Sequence, residues 1–503
     1  MILLFHHCSN ITIPFPVAVG SDGKKGTEPV APEQNPDYNF SYRFIIGAAP
    51  MYDLVIAKGK IVTSTSVTEG DIGINNGKIA ALGQNLEGRR VIDARGKLVT
   101  PGAVDTHVHL EMPIGKYSST DDFYDGTRAA VCGGTTSIID FVEPEDGQSL
   151  QDALAERRAL ADARSVIDYG LHMTIGPGQL DKLDQIPGIM DAGCGSFKLY
   201  MAYGLHLRDD QLYKALSAVG EAGGLPVVHA ENWDIICALI EENIKKGNTS
   251  PHWHPRSRPE EFEAEAAGRV IKIAATAGSR VHIFHVSCPQ VVEEISRAKV
   301  KGLPVTAETC PQYLLLTQDL YDRDGVEGAL PVCSPPLRSD ASRRELWQAL
   351  GSGLFDTIST DHCPFCREEK GADLSAFNRI PGGVPSMEIR FSALYSEGVG
   401  KELISESQWV DLCCTTPARL FGLKDKGEIT IGRDADLVVF DPHKEWVVTA
   451  GELQETAGWT PYEGLKLKGR PVYTISRGDI LLDEGEFKAE KGRGCFLKTR
   501  TKA

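Results

Sequence analysis

The sequence predicts a (β/α)8 TIM-like barrel with a small β-sandwich domain built from the segments on either side of it. Three observations carry that expectation: eight apolar runs alternating with helical stretches, β-type sequence flanking them, and reactive side chains at the ends of the runs. With 503 residues, 42% of them hydrophobic and 24% charged, the chain has material for a large core.

Taken in order, residues 1–50 come first. The stretch 20–40 is polar and rich in Gly and Pro, which predicts a disordered extension. From Met51 the runs "YDLVIAKGKIVT", "GDIGINNGKIAALG" and "RRVIDARGKLVTPG" alternate between Gly-Lys turns, as β-hairpins do. The barrel runs follow: "GAVDTHVHL", "TTSIIDF", "VIDYGLHMTI", "GSFKLYMAY", "LPVVHAEN", "RVHIFHVS", "LPVTAETC" and "DTISTDHC". Segments such as "SLQDALAERRALAD", "DDQLYKALSAVGEAG" and "RPEEFEAEAAGRVIKIAATAG" supply the helices between them. After "CCTTPARLFGL" the chain returns to β sequence in "GEITIGRDADLVVFDP" and "PVYTISRGDILLDEGEF". The expected domains are therefore an extension at 1–50 and a β domain from 51–104 plus 423–490. A barrel at 105–422 and a C-terminal tail at 491–503 complete the chain.

Composition excludes several function classes. The net charge of −16, with no basic cluster, argues against nucleic acid or anionic membrane as a partner. No apolar run approaches the roughly 18 residues of a membrane span. The start "MILLFHHCSN" has no basic residue before its apolar patch, so it makes a poor signal peptide. The twelve cysteines are scattered, and "CPFC" (Cys363, Cys366) has no second pair to complete a thiolate zinc site. Reduced thiols in a cytoplasmic protein follow.

The chemistry lies at the strand ends. His107 and His109 alternate along the first run and so face one side. Alone the pair is ambiguous, because histidines also pack and hydrogen-bond. The other runs end with Lys198, His229, His285 and Asp361, which gathers six titratable residues at one barrel rim. Imidazoles and a carboxylate suit Zn2+, with Mn2+ or Co2+ able to substitute. An ammonium beside such cations is repelled by about 4 kcal/mol per unit charge at ~4 Å and an effective dielectric of about 20. A neutral Lys198 amine that has taken up CO2 would instead offer a carbamate able to bridge two metals. His172, His282 and His362 are open between support of this site and simple packing. His282 is expected to face away from His285, and His252 and His254 to be structural residues of a loop.

These residues lie in motifs, "DTHVHLEMPIG", "DDFYDGTRAAVCGGTTSIIDF", "SFKLYMAY", "ETCPQYLLL", "SPPLR" and "STDHCPF", that resemble the amidohydrolase superfamily, and within it the dihydropyrimidinase and hydantoinase group. The resemblance covers roughly nine tenths of the chain. It implies that His107, His109, carboxylated Lys198 and Asp361 hold one Zn2+, and that Lys198, His229 and His285 hold a second. It implies further that activated water attacks a ring amide carbon. Asp361 would carry the proton to the leaving nitrogen, Tyr203 would stabilise the oxyanion, and main chain around Ser334 and Gly382 would read the substrate. Where relatives have "PNG" this chain has "PGG", and Ile114 stands where they often carry an aromatic residue. The loop at Ile114 and the segment 141–149 are expected to face the ring substituent.

The resemblance thus implies hydrolysis of a small cyclic diamide, a 5,6-dihydropyrimidine or a 5-substituted hydantoin, to an N-carbamoyl amino acid, by a homotetramer or homodimer. Allantoinase or dihydroorotase is the alternative. Dihydroorotases tend to place an arginine after the histidine pair, and Glu111 occupies that position here. A non-catalytic relative of dihydropyrimidinase is disfavoured, because every ligand position is retained.

Overall fold

The structure, a computed structural model, describes residues 51–500. The expected disordered extension at 1–50 and the last residues of the tail, 501–503, lie outside them. The chain opens with β1 (Tyr52–Val62), β2 (Val67–Asn75), β3 (Lys78–Gly83), β4 (Gly88–Asp93) and β5 (Leu98–Pro101). Next come β6 (Ala103–Asp105) and a hairpin of β7 (Pro113–Ile114) and β8 (Tyr117–Ser118). The strands β9 (Thr135–Val142), β10 (Asp168–Thr174), β11 (Ser196–Tyr200), β12 (Leu225–His229), β13 (Val281–Ile283), β14 (Val305–Thr309) and β15 (Thr357–Ile358) follow, separated by helices. The chain then adds β16 (Leu437–Val447), β17 (Lys466–Ser476), β18 (Asp479–Asp483) and β19 (Glu486–Phe487).

Strand β6 and strands β9 to β15 form one parallel sheet in chain order. A bridge between Val108 and His362, with the His109 N–H donating to the His362 carbonyl at 2.8 Å, joins its two ends. The eight apolar runs thus become the eight barrel strands. Their residues are almost all buried, as strands covered on both faces require. Helix starts are fixed by side-chain caps: Asp122 before Phe123–Cys132, Ser149 before Leu150–Arg164 and Asn232 before Trp233–Lys245.

The two flanks share a nine-stranded sheet, joined where β5 pairs antiparallel with β16. Its core includes Ile56, Ile61, Ile72, Val99, Leu437 and Ile475. The chain passes from this sheet into the barrel at Gly102, where a Cβ would lie 2.1 Å from Thr136 Oγ1. Only glycine fits there. No helix among the described residues is long and apolar enough to cross a membrane.

At the foot of the barrel, Phe421 packs against His172 and His282 at ring distances of 5.3 and 5.7 Å. His172 bonds the Thr106 carbonyl (2.9 Å) and Ser196 Oγ (2.6 Å), so packing and support of the His107 strand coincide in one residue. The described part of the tail lies against the same end. The Tyr169 N–H donates to Cys495, Leu497 donates back to Tyr169, and Thr499 Oγ1 accepts from Gly195 at 2.7 Å.

Buried Lys426 joins the barrel to the flanking sheet. Its Nζ lies 2.6 Å from Asp168, which opens β10, and 2.8 and 3.0 Å from Asp436 and Asp434 beside β16. Removing one partner of a buried ion cluster strands the others, at a cost of about 3–5 kcal/mol. Lys426→Met is therefore expected to lower the free energy of unfolding by that amount, read as a fall in the denaturant midpoint at unchanged m. Turnover by the fraction that stays folded should be unchanged, because the site lies at the other end of the strands.

Candidate active site

All nine residues singled out in the sequence (His107, His109, Lys198, Tyr203, His229, His285, Ser334, Asp361 and Gly382) line one cavity of about 1090 Å3. It opens at the C-terminal ends of the barrel strands. The backbone there is strained: Tyr203, His285 and Asp361 have φ of +68°, +39° and +51°, values that non-glycine residues hold only when their surroundings impose them. Tyr203 is held by His206, whose Nδ1 donates to the Tyr203 carbonyl at 2.6 Å.

Hydrogen bonds set the tautomers. Glu308 Oε1 lies 2.8 Å from His107 Nδ1, and Glu231 Oε2 lies 2.8 Å from His229 Nε2. A carboxylate accepts only, so each imidazole carries its proton on that nitrogen. The lone pair of His107 Nε2 then points at Asp361 Oδ1, 3.1 Å away, and that oxygen also lies 3.2 Å from His109 Nε2. The lone pair of His229 Nδ1 points at His285 Nε2, 2.8 Å away. His107 Nε2 and Asp361 Oδ1 are thus two acceptors face to face in a dry site, an unfavourable contact unless a cation lies between them. Donor atoms of His107, His285 and Asp361 fall within 4.8 Å of one another, and His107 Nε2, His109 Nδ1 and His285 Nδ1 have no hydrogen-bond partner. The donor set therefore fits divalent cations.

Burial pushes His107 and His285 well below their ordinary pKa and lowers His229, which keeps these imidazoles neutral and available as ligands. Burial also opposes the charge on Asp361, but His107 and His109 outweigh it and hold the carboxyl below its usual value. Lys198 is 1% exposed and has no hydrogen bond or ion pair among the described residues. Its Nζ sits 4.4 Å from the centre of the Phe284 ring and 5.3 Å from that of Phe141, rings that also pack on His107 and His109. Burial pulls its amine down to about 8, so the neutral form is accessible.

Three expectations change. His285 lies beyond the end of its strand, so alternation does not set its direction: its φ is positive and its ring lies 5.4 Å from that of His107. Ile114, Met112 and Tyr117 line the cavity, but no residue of 141–149 does; Tyr200 stands in front of that segment, with its hydroxyl 3.4 Å from Glu143 Oε1. His254 sits in a one-turn helix, Trp253–Arg256, rather than a loop, and it lines the cavity while bonding the Cys333 carbonyl at 2.8 Å. Glu111 is ion-paired with Arg164 at 2.7 Å and is not among the residues that line the cavity.

Sequence reasoning passed over Glu308, Glu231 and Arg258. Glu231 lies two residues after His229 and so on its side of the chain, and Arg258 holds it at 2.5 Å. Glu308 is the last but one residue of β14, the one late barrel strand to which no site residue had been assigned. Partners of this kind orient ligands, and losing one costs 10–100-fold in metal affinity. Glu308→Gln keeps an acceptor but loses the charge, and chelator competition should show a loss of about tenfold. His362 also supports the site: its Nε2 meets Asp121 at 2.8 Å, and its Nδ1 accepts from the Ser386 N–H at 3.2 Å.

Comparison with known proteins points the same way. Residues 98–481 match the amidohydrolase family. A D-hydantoinase of Geobacillus stearothermophilus is 43% identical over 451 residues, covering 88% of this chain and 96% of that protein. Among solved structures, the D-hydantoinase of Bacillus sp. AR9 superimposes with a TM-score of 0.88 at 40% identity, covering 90% of this chain and all of the other (100%). The dihydropyrimidinase of Brevibacillus agri NCHU1002 gives 0.86 at 38% identity, over 89% and 99% of the two chains.

Proposed function

The chain belongs to the amidohydrolase family, and on that premise we propose that it opens cyclic diamides, 5-substituted hydantoins and 5,6-dihydropyrimidines, to N-carbamoyl amino acids. The observation that carries this reading is the set of lone pairs fixed by Glu308 and Glu231, converging at the base of a cavity with a buried, partnerless lysine. His107, His109 and Asp361 would hold one Zn2+, His229 and His285 a second, and Lys198, carboxylated by CO2, would bridge them. Two such cations supply Lewis acidity and lower the pKa of a bound water from about 15.7 to about 7.

The protein's own groups do the rest. Asp361 Oδ1 is engaged by both histidines, which leaves Oδ2 to take the proton from the attacking water and pass it to the leaving ring nitrogen. Burial raises the Tyr203 hydroxyl to about 12, so it stays protonated and donates to the oxyanion. Main chain at Ser334 and Gly382 would hold the ring; their side-chain faces meet, since a Cβ on Gly382 would lie 3.8 Å from Ser334 Oγ. The outer wall carries Met112, Ile114, Leu205, Trp233, Ile240 and Ile380. Such a wall favours a bulky apolar ring substituent.

The test is turnover of dihydrouracil, hydantoin, 5-phenylhydantoin, allantoin and dihydroorotate. The expected order places 5-phenylhydantoin first and dihydroorotate last. A preference for dihydroorotate would overturn the substrate reading.

A further inference from the structure

A buried lysine, Lys370, lies against the cavity but outside the cluster described above. Lys370 is 0% exposed and has no carboxylate partner among the described residues. Its Nζ donates to two carbonyls, Val332 and Pro381, each at 2.7 Å. Aromatic rings of Phe365 and Trp459 cover it at 5.8 and 5.9 Å. Burial brings the amine down to about 7, but even the neutral amine keeps two N–H groups, one for each carbonyl.

The two carbonyls belong to different walls of the cavity. Val332 precedes Cys333 and Ser334, and Pro381 precedes Gly382, and all but Cys333 line the cavity. A further bond, Gly383 N–H to the Val332 carbonyl at 2.9 Å, ties the same two walls. Few other forces would keep a lysine in such a place. A buried amine with no counter-charge is costly, and of its two acceptors Val332 has a second donor in Gly383, so it is the Pro381 carbonyl that depends on the amine.

We propose that Lys370 is a positioning residue for substrate: by clamping the Val332 and Pro381 carbonyls it fixes the separation of the Ser334 and Gly382 main chain between which the cyclic diamide is held. The assignment rests on the cyclic-diamide reading above. Because the clamp holds groups that touch substrate and transition state alike, its loss should raise KM and leave kcat nearly unchanged. A role confined to folding would lower the folded fraction and the unfolding midpoint without that split.

The experiment compares the wild-type holoenzyme, Lys370→Met and Lys370→Gln on 5-phenylhydantoin and dihydrouracil, with metal content and thermal midpoint measured on the same samples. Lys370→Met keeps the bulk but no donor, and is expected to raise KM about tenfold or more, with kcat within about threefold and metal content unchanged. Glutamine is one atom shorter and cannot reach both carbonyls, so it should raise KM about threefold. It decides the matter if the methionine variant does not fold. Unchanged KM in a folded variant, or a fall in kcat that tracks metal loss, would overturn the assignment. Absence of wild-type turnover would instead remove the cyclic-diamide reading, and this assignment with it.

Discussion

Replacing Lys198 by alanine should abolish both metal binding and turnover, with kcat/KM falling by about 10⁴-fold or more, a loss of roughly 5.5 kcal/mol of transition-state stabilisation. The reason lies in what surrounds the side chain. A free ammonium at this position makes no ion pair or hydrogen bond among the described residues and lies against the faces of Phe284, Phe141 and Tyr200, with Asp361, Glu308 and Glu143 acting on it only from a distance. An amine that becomes a carbamate there supplies the negative charge that two dications on neutral imidazoles require. Short carboxylic acids should partly restore metal content and activity to Lys198→Ala, because acetate or propionate can occupy the carbamate's place. A variant that kept both metals and full activity without them would show that Lys198 is a packed residue and not a bridge.

Asp361→Asn comes next in size. Loss of a general acid–base group costs about 10²–10⁴-fold in kcat. Asparagine keeps the shape and can still accept from His109, but it cannot take a proton. KM for 5-phenylhydantoin should change only a few-fold, because the walls at Ser334 and Gly382 are untouched. A variant in which KM rose and kcat held would move the proton transfer to another group. The buried carboxyls of Glu308 and Glu231 are already committed to His107 and His229.

Much of this was legible because barrel chemistry is written at strand ends. Eight apolar runs announced eight strands, and His107, His109, His229 and Asp361 stood where those runs stopped. Period-two alternation failed at His285, where the strand had already ended and the chain took a left-handed turn that no local pattern signals. The orienting carboxylates were harder to see. Glu308 is 201 residues from His107 in sequence and meets it only once the sheet closes. Lys370 was invisible for a similar reason: its partners are carbonyl groups, which every residue possesses. The substituent wall was half-read. The hairpin at Ile114 could be assigned to the cavity, but Tyr200, standing in front of 141–149, could not be foreseen.

The most direct measurement is turnover of 5-phenylhydantoin and dihydrouracil by protein whose metal content is raised stepwise from the chelated state. Activity should be absent without metal, rise with occupancy and level off near two Zn2+ per chain, with an N-carbamoyl amino acid as product. Full turnover by protein holding essentially no metal, or no turnover of any cyclic diamide at two metals per chain, would contradict the account.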